Sequence, residues 1–245
     1  MYKDKQFDDV AKFLNLPIES VRNKVGEDNK TDMTNLKEHY KSANPLGYLN
    51  KENINYHIFK DHIALLYCSM FGIKTCMELG CGASMTSFTL ARNGIKCTAY
   101  DYESDTLRFQ LWRRRNYHLT NLVYRGLGQL GRNKEKYDAF VCFEVLEHIQ
   151  DPRPTIDIID KHIKPKGILI LTMTSQADLP PDQRDKEHIC ELNNEGMVNY
   201  ILEKGYMVVQ GLKFPNGYMF SHMNYPLIFK KIGENNEDSN NSPNN

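Results

Sequence analysis

Apolar residues recur along this chain first at helical intervals and then in short runs. In "FDDVAKFLNL" and "PIESVRNKV" they fall three or four positions apart, which predicts two helices ahead of a break at "SANPLGYLN". Residues 1–60 read as a polar N-terminal helical cap or lid, and "YHIFKDHIALLYCSMF" is helical again. From there short apolar runs alternate with helical segments. Strand-like "KTCMELG", "IKCTAYD", "NLVYRG", "YDAFVCFE" and "GILILTMT" are interleaved with helix-like "MTSFTLARNG", "DTLRFQLWRRRN" and "RPTIDIIDKHI". Strands and helices at this interval pair in parallel through right-handed crossovers, giving an α/β fold with a doubly wound, mostly parallel sheet and helices on both faces. After a polar loop, helix "NNEGMVNYILEKG" and strands "YMVVQGLKF" and "NYPLIFKKI" bring the count to seven strands and predict an antiparallel pair at the edge. The expected catalytic domain is therefore 61–232. The tail 233–245 has too few apolar residues to offset the entropy of ordering it and is expected to be disordered.

Charge and cysteine content narrow the function classes. The 31 basic and 31 acidic side chains of the 245 residues cancel, so no global field draws the chain toward nucleic acid or an anionic membrane. The start, "MYKDKQFDDV", is charged where a signal peptide needs an apolar core, and no run is long enough to span a bilayer, which predicts a cytoplasmic protein. The six cysteines form no CxxC pair and mostly sit in or beside apolar runs, so they read as reduced core thiols rather than disulfides or a zinc knuckle.

The most informative stretch is "CMELGCGASMTSFTL", residues 76–90, where Gly80 and Gly82 fall at the turn between the first strand and the next helix. In a doubly wound sheet, ligands bind outside the carboxyl ends of the strands, and this turn is expected to present free backbone N–H groups. Glycine permits unusual backbone angles and close ligand approach there. Asp101 ends the second strand, where an acid can accept from both hydroxyls of a ribose. A dinucleotide fingerprint would want a third glycine at position 85, which is Met85 here. Glu78 adds a negative charge that repels phosphate and suits a cationic ligand, which favours S-adenosyl-L-methionine over a nicotinamide dinucleotide.

These residues resemble the class I S-adenosylmethionine-dependent methyltransferases, and in particular the branch that includes the ubiquinone-biosynthesis O-methyltransferases. The resemblance covers about residues 74–210 and rests on "MELGCGAS", on "AYD", and on "YDAFVCFEVLEHIQDP" followed by "IKPKGILILTMTS". It implies a Rossmann-like methyltransferase fold. It also implies Glu78, Gly80, Cys81 and Gly82 as contacts of the methionine portion, Asp101 as the ribose acceptor and Tyr102 as an adenine neighbour, with Gly126 and Leu127 nearby and Cys142, Phe143 and Glu144 flanking the methyl centre. Many relatives carry an acid after the third strand that meets the adenine amino group; here Leu127 stands in that region.

Methyl transfer from a sulfonium needs alignment, dehydration and, for a hydroxyl acceptor, a base. "FEVLEH" supplies Glu144, Glu147 and His148, and His188 lies on a later loop. Two functional readings stand beside a structural one. His148 removes the acceptor proton, or Glu144, Glu147, His148 and His188 bind Mg2+ or another divalent cation, as similar E-x-x-E-H segments do in small-RNA 2′-O-methyltransferases. In the structural reading, Glu147 and His148 fix the loop by hydrogen-bonding backbone. The run "LWRRRN" reads as a solvated face with Leu111 or Trp112 packed inward, the alternative being an RNA-facing patch. "FPNGYMFSHMNY" lines a substrate pocket or bridges edge strands, and the helix bearing Tyr56, His57, His62 and Tyr67 is a candidate cover for the cofactor. A small-molecule methyltransferase with an oxygen acceptor is the leading function. Metal-assisted RNA methylation and a silent cofactor-binding scaffold are the alternatives, and the oligomeric state is open.

Overall fold

A computed structural model describes residues 2–24, 45, 51–83, 85–172, 174–184, 186–210, 213–214, 217–218 and 226–233. The expected tail, the break around residue 44 and most of the 214–225 cluster lie outside the described residues. Helices α1 (Tyr2–Leu14), α2 (Ile18–Lys24) and α3 (Lys51–Met70) precede the sheet. Then follow β1 (Thr75–Leu79), α4 (Thr86–Arg92), β2 (Lys96–Asp101), α5 (Asp105–Asn116), β3 (Leu122–Gly126), β4 (Tyr137–Cys142), α6 (Arg153–His162), β5 (Ile163–Leu171) and α7 (Asn194–Glu203). Strands β6 (Tyr206–Gln210), β7 (Lys213–Phe214), β8 (Gly217–Tyr218) and β9 (Leu227–Lys231) complete the chain.

The main sheet has seven strands in the order β3-β2-β1-β4-β5-β9-β6, with β7 and β8 forming a separate two-stranded pair. Strands β1 to β5 pair in parallel, and β9 runs antiparallel to both β5 and β6, so the expected antiparallel pair closes the edge with its reversed strand on the inside. Strand β5 begins four residues ahead of "GILILTMT", because Ile163 already pairs with Tyr137 before a register shift. Apolar residues of the two sheet faces feed two core clusters, one around Cys76, Phe88, Ala139 and Ile168, the other around Met77, Phe140, Leu169 and Phe229. All six cysteines are free and buried, as core thiols should be.

The expected domain boundary at residue 60 needs correction, since α3 runs through it without a break. Its second half is anchored in the sheet core by Ala64, Tyr67 and Cys68, so the helix belongs to both segments. The first two helices pack separately, on Phe109 of α5 and on Ala83 beyond β1.

Register decides where a site can form. Leu79 stands level with Tyr100 on one side and Cys142 on the other, Asp101 with Gly126, and Cys142 with Leu171. The carboxyl ends of five parallel strands therefore share one row. The chain leaves β1 toward β2 and β3 and returns to β4 on the opposite side, so the topological switch point, where ligands bind in such sheets, lies between β1 and β4.

The opposite end of the sheet is held by Asp138. Its carboxylate accepts from Thr75 N at 2.8 Å, Thr75 Oγ1 at 2.9 Å and Lys74 N at 3.1 Å, and pairs with Lys164 Nζ at 2.8 Å. Burial alone would raise its pKa, but the Lys164 ammonium and the Thr75 donors outweigh it and hold the carboxyl below its ordinary value. Because the folded value lies below an unfolded one of about 3.9, the stabilisation is complete above that pH and is lost as pH falls through the lowered value. We expect Asp138→Asn to cost about 1–3 kcal/mol at neutral pH. In urea titrations the gap between variant and parent should close as pH falls below about 4.

Candidate functional site

The turn after β1 is built by its glycines. Gly80 has φ +70° and a β-carbon added there would come within 2.2 Å of Val145 Cγ2, from the loop after β4. Gly82 also has a positive φ, of 47°. These conformations fold the turn back onto β2: Gly80 N donates to the Tyr100 carbonyl at 2.8 Å, Cys81 N to the same oxygen at 3.3 Å, and Gly82 N to Asp101 Oδ2. The expectation of free N–H groups is thus corrected. Among the described residues, the three successive donors of Gly80, Cys81 and Gly82 are satisfied within the chain, so these three do not form an anion-binding nest.

Asp101 closes the opposite wall. Its second oxygen accepts from Tyr102 N at 2.6 Å, so each oxygen takes one backbone donor and keeps lone-pair capacity for another. Burial raises the Asp101 pKa against the pull of the Gly82 and Tyr102 N–H groups. Glu78 is 3% exposed and accepts from Ser87 N at 3.1 Å and from the Ser87 hydroxyl, which places its charge at the N-terminal end of α4. Burial and the charges of Asp101 and Glu78 together push the Cys81 thiol well up, so it is an uncharged wall.

Gly126 ends β3 beside Asp101, and Leu127 opens a six-residue 3₁₀ helix, Leu127–Arg132. A β-carbon on Gly126 would meet Glu103 Oε1 at 2.4 Å, so the Glu103 side chain lies against the end of the third strand. Sequence reasoning missed Glu103; its position two residues after Asp101 was the available signal.

Beyond β4 the chain passes Cys142 and Phe143, both buried, into Glu144, whose φ is +54°. That strained conformation is held by Thr172: Glu144 N donates to Thr172 Oγ1 at 2.9 Å, and the hydroxyl donates back to Glu144 Oε1 at 2.7 Å. Lys60 of α3 reaches the same carboxylate, with Nζ 3.7 Å from Oε1 and 5.6 Å from the Phe143 ring centre. Burial lowers the Lys60 ammonium to about 8 against the attraction of Glu144 and Glu147. No motif announced Lys60 as a neighbour of Glu144, because it lies a third of the chain away, on α3.

Glu147 is fully buried, and neither of its carboxylate oxygens meets a donor in hydrogen-bond geometry among the described residues. Burial, then the neighbouring Glu144 charge, raises it to about 8. His148 and His188 face it, one ligand atom from each of the three lying within 4.8 Å of the others, with the imidazole centres 5.2 Å apart. His148 Nδ1 sits 2.9 Å from the Glu187 carbonyl, which can only accept. Nδ1 therefore carries the proton and Nε2 the lone pair. Burial keeps this imidazole below its ordinary pKa. The loop bearing His188 is pinned by Cys190 N donating to the Glu147 carbonyl at 3.1 Å and Glu191 N to the Gln150 carbonyl at 3.0 Å. Of the four residues expected around a cation, Glu147, His148 and His188 come together within 4.8 Å; Glu144 lies beside Glu147 and also meets Thr172 and Lys60.

The "LWRRRN" segment packs Leu111 and Trp112 against the core as expected, but differs at Arg113. Arg113 is fully buried, because it follows Thr106, Leu107, Phe109 and Gln110 on the inward face of α5, while Leu111 and Trp112 are half-buried. The run is therefore not a continuous basic patch. Among the described residues no helix is long and apolar enough to cross a membrane.

Residues 77–169 match the family model described as a methyltransferase domain. The chain is 28% identical over 142 residues to the ubiquinone biosynthesis O-methyltransferase of Haemophilus ducreyi, covering 56% of this chain and 57% of that protein. It is 27% identical over 159 residues to the protein of the same name from Actinobacillus pleuropneumoniae, covering 61% and 68%. A S-adenosylmethionine-dependent methyltransferase from Clostridium acetobutylicum superposes with TM-score 0.57 at 13% identity over 72% of this chain and 92% of that one. The magnesium protoporphyrin IX methyltransferase of Synechocystis, solved with bound S-adenosylhomocysteine, superposes with TM-score 0.55 at 15% identity over 73% and 84%. At such identities the superpositions establish the fold.

A Gly80→Ala substitution must accommodate both a positive φ and a collision with Val145. It should lower the unfolding free energy by about 1–3 kcal/mol, measured by chemical denaturation, whereas Gly94→Ala, with φ +85° and open space around it, should show only the smaller backbone part of that loss.

Proposed function

We propose that this chain, whose residues 77–169 match a methyltransferase domain, methylates a small molecule, most plainly at an oxygen, using S-adenosyl-L-methionine held between the β1 turn and Asp101. One arrangement carries this reading: Asp101 faces Gly82 across the end of the sheet with acceptor capacity to spare, in a turn whose N–H groups are already occupied. Such a wall rejects phosphate and accepts hydroxyl donors and a positively charged sulfur.

When bound, the cofactor supplies a methyl group on a cationic sulfonium. The chain's part is alignment and charge. Asp101 accepts from the ribose hydroxyls, Glu78 keeps a negative charge behind the turn, and buried Cys142 and Phe143 keep water from the β4 side. The oxygen acceptor follows from the groups beyond β4, since an amine needs less help in shedding its proton than a hydroxyl. The names of the curated relatives point the same way, although the chain spans only 57% of the first of them.

Glu147, His148 and His188 fit a divalent cation. A buried carboxylate without a donor is costly unless a charge meets it, and the Nδ1–H···O=C bond of His148 leaves Nε2 as the ligand atom. Such an ion would supply Lewis-acid polarisation of the acceptor oxygen. One carboxylate with two imidazoles suits Mn2+, Fe2+, Co2+ or Zn2+ better than Mg2+, which prefers oxygen donors.

Calorimetry with S-adenosylmethionine tests the cofactor site: Asp101→Ala should weaken binding roughly 10- to 150-fold, the worth of one or two hydrogen bonds to a charged acceptor. Unchanged affinity would remove Asp101 from the site. Thermal melts with Mn2+ or Zn2+ test the cation: the parent should gain stability and Glu147→Gln should not. Equal gains in both would reject the cation, and loss of turnover in His148→Ala would then assign His148 the acceptor's proton.

A further inference from the structure

We infer that Asp9, on the N-terminal helix, is a positioning residue for the cofactor turn, acting through a buried relay; this rests on the turn being the S-adenosylmethionine site. Asp9 Oδ2 lies 3.2 Å from Arg113 Nε, with side chains 2% and 1% exposed. Arg113 Nη1 donates to Gln110 Oε1 at 3.2 Å and reaches the Ala83 carbonyl at 3.5 Å. Gln110 Nε2 donates to the Gly82 carbonyl at 2.9 Å, and Tyr124 Oη donates to Gln110 Oε1 at 3.3 Å. Two consecutive carbonyls of the turn are thus held by side chains of α5, and the guanidinium that orders them is held by α1. Gly82 is also the residue whose N–H meets Asp101, so both faces of one peptide segment are restrained, one by the ribose acceptor and one by this relay.

The apolar surroundings make the relay rigid. Arg113 lies 4.2 Å from the Phe109 ring centre and 5.6 Å from that of Phe88, and Ala83 packs with Phe7, Val10, Ala11 and Val21 of the first two helices. A guanidinium buried among these rings must be neutralised by a specific partner, and removing that partner leaves a buried charge to be met by moving the chain. The acceptors already within its reach are Gln110 Oε1 and the Ala83 carbonyl, and Gln110 in turn holds the Gly82 carbonyl. The other oxygen of Asp9 accepts from Tyr117 Oη at 2.7 Å, a contact that fastens α1 without touching the turn.

The test is calorimetric titration of the full chain with S-adenosylmethionine, alongside thermal melts. Asp9→Asn should raise Kd roughly ten-fold, within the range by which remote residues modulate binding. Tyr117→Phe should lower the melting temperature and leave Kd at the parent value. Gln110→Met, which cuts the relay at the turn without touching α1, should reproduce the Asp9→Asn rise. An Asp9→Asn protein that melts early yet binds with parent affinity would overturn the inference. If neither relay variant folds, hydrogen exchange on the parent decides: added cofactor should protect amides 7–11 of α1 as well as the turn, and protection ending at the turn would overturn it. A parent that binds no cofactor at all marks failure of the underlying reading instead.

Discussion

The contact between the Asp101 carboxylate and the Gly82 N–H organises this molecule's ligand-binding end. It exists because β1 and β2 pair in a register that leaves Tyr100 level with Leu79, and because Gly80 and Gly82 accept positive φ angles that bend the turn over β2. It takes up the Gly82 donor, while the Tyr100 carbonyl takes those of Gly80 and Cys81, and it fixes the acid that ends β2 against the turn. A different choice at either glycine would break the bend, and a different register would move the acid away from the turn. The buried Glu78 carboxylate behind the turn, held by Ser87, adds a negative charge to the same end of the sheet.

Across the crevice the chain concentrates acids that water would ordinarily keep apart. Lys60 compensates Glu144, and Thr172 locks it, so Glu144 is satisfied inside the protein. Glu147, fully buried beside two imidazoles, is drawn to the same Lys60 ammonium but repelled by Glu144, and burial keeps its carboxyl well above its ordinary value. Two carboxylates three residues apart in one motif thus share one ammonium but differ in burial and in their further neighbours.

The N-terminal helices are integrated with this end of the sheet rather than laid beside it. Asp9 and Arg113 exchange charges in an apolar setting, which is expensive for either alone and acceptable only together. The same Arg113 reaches the Ala83 carbonyl, and Gln110 beside it holds that of Gly82, so the pair lies next to the turn after β1.

Hydrophobic periodicity alone determined the strand and helix alternation, and with it the parallel sheet and the crevice; Gly80, Gly82 and Asp101 were legible because glycine's conformational freedom and an acid at a strand end are local properties. Glu147, His148 and His188 were legible as a chemical set but not as a geometry. Tertiary structure decided that Glu144 turns to Lys60 and Thr172, that Glu103 covers Gly126, and that Arg113 is buried although it sits in a run of three arginines. Each of these depends on a partner far along the chain, and long-range pairing is set by packing and desolvation, which leave no periodic trace in the sequence.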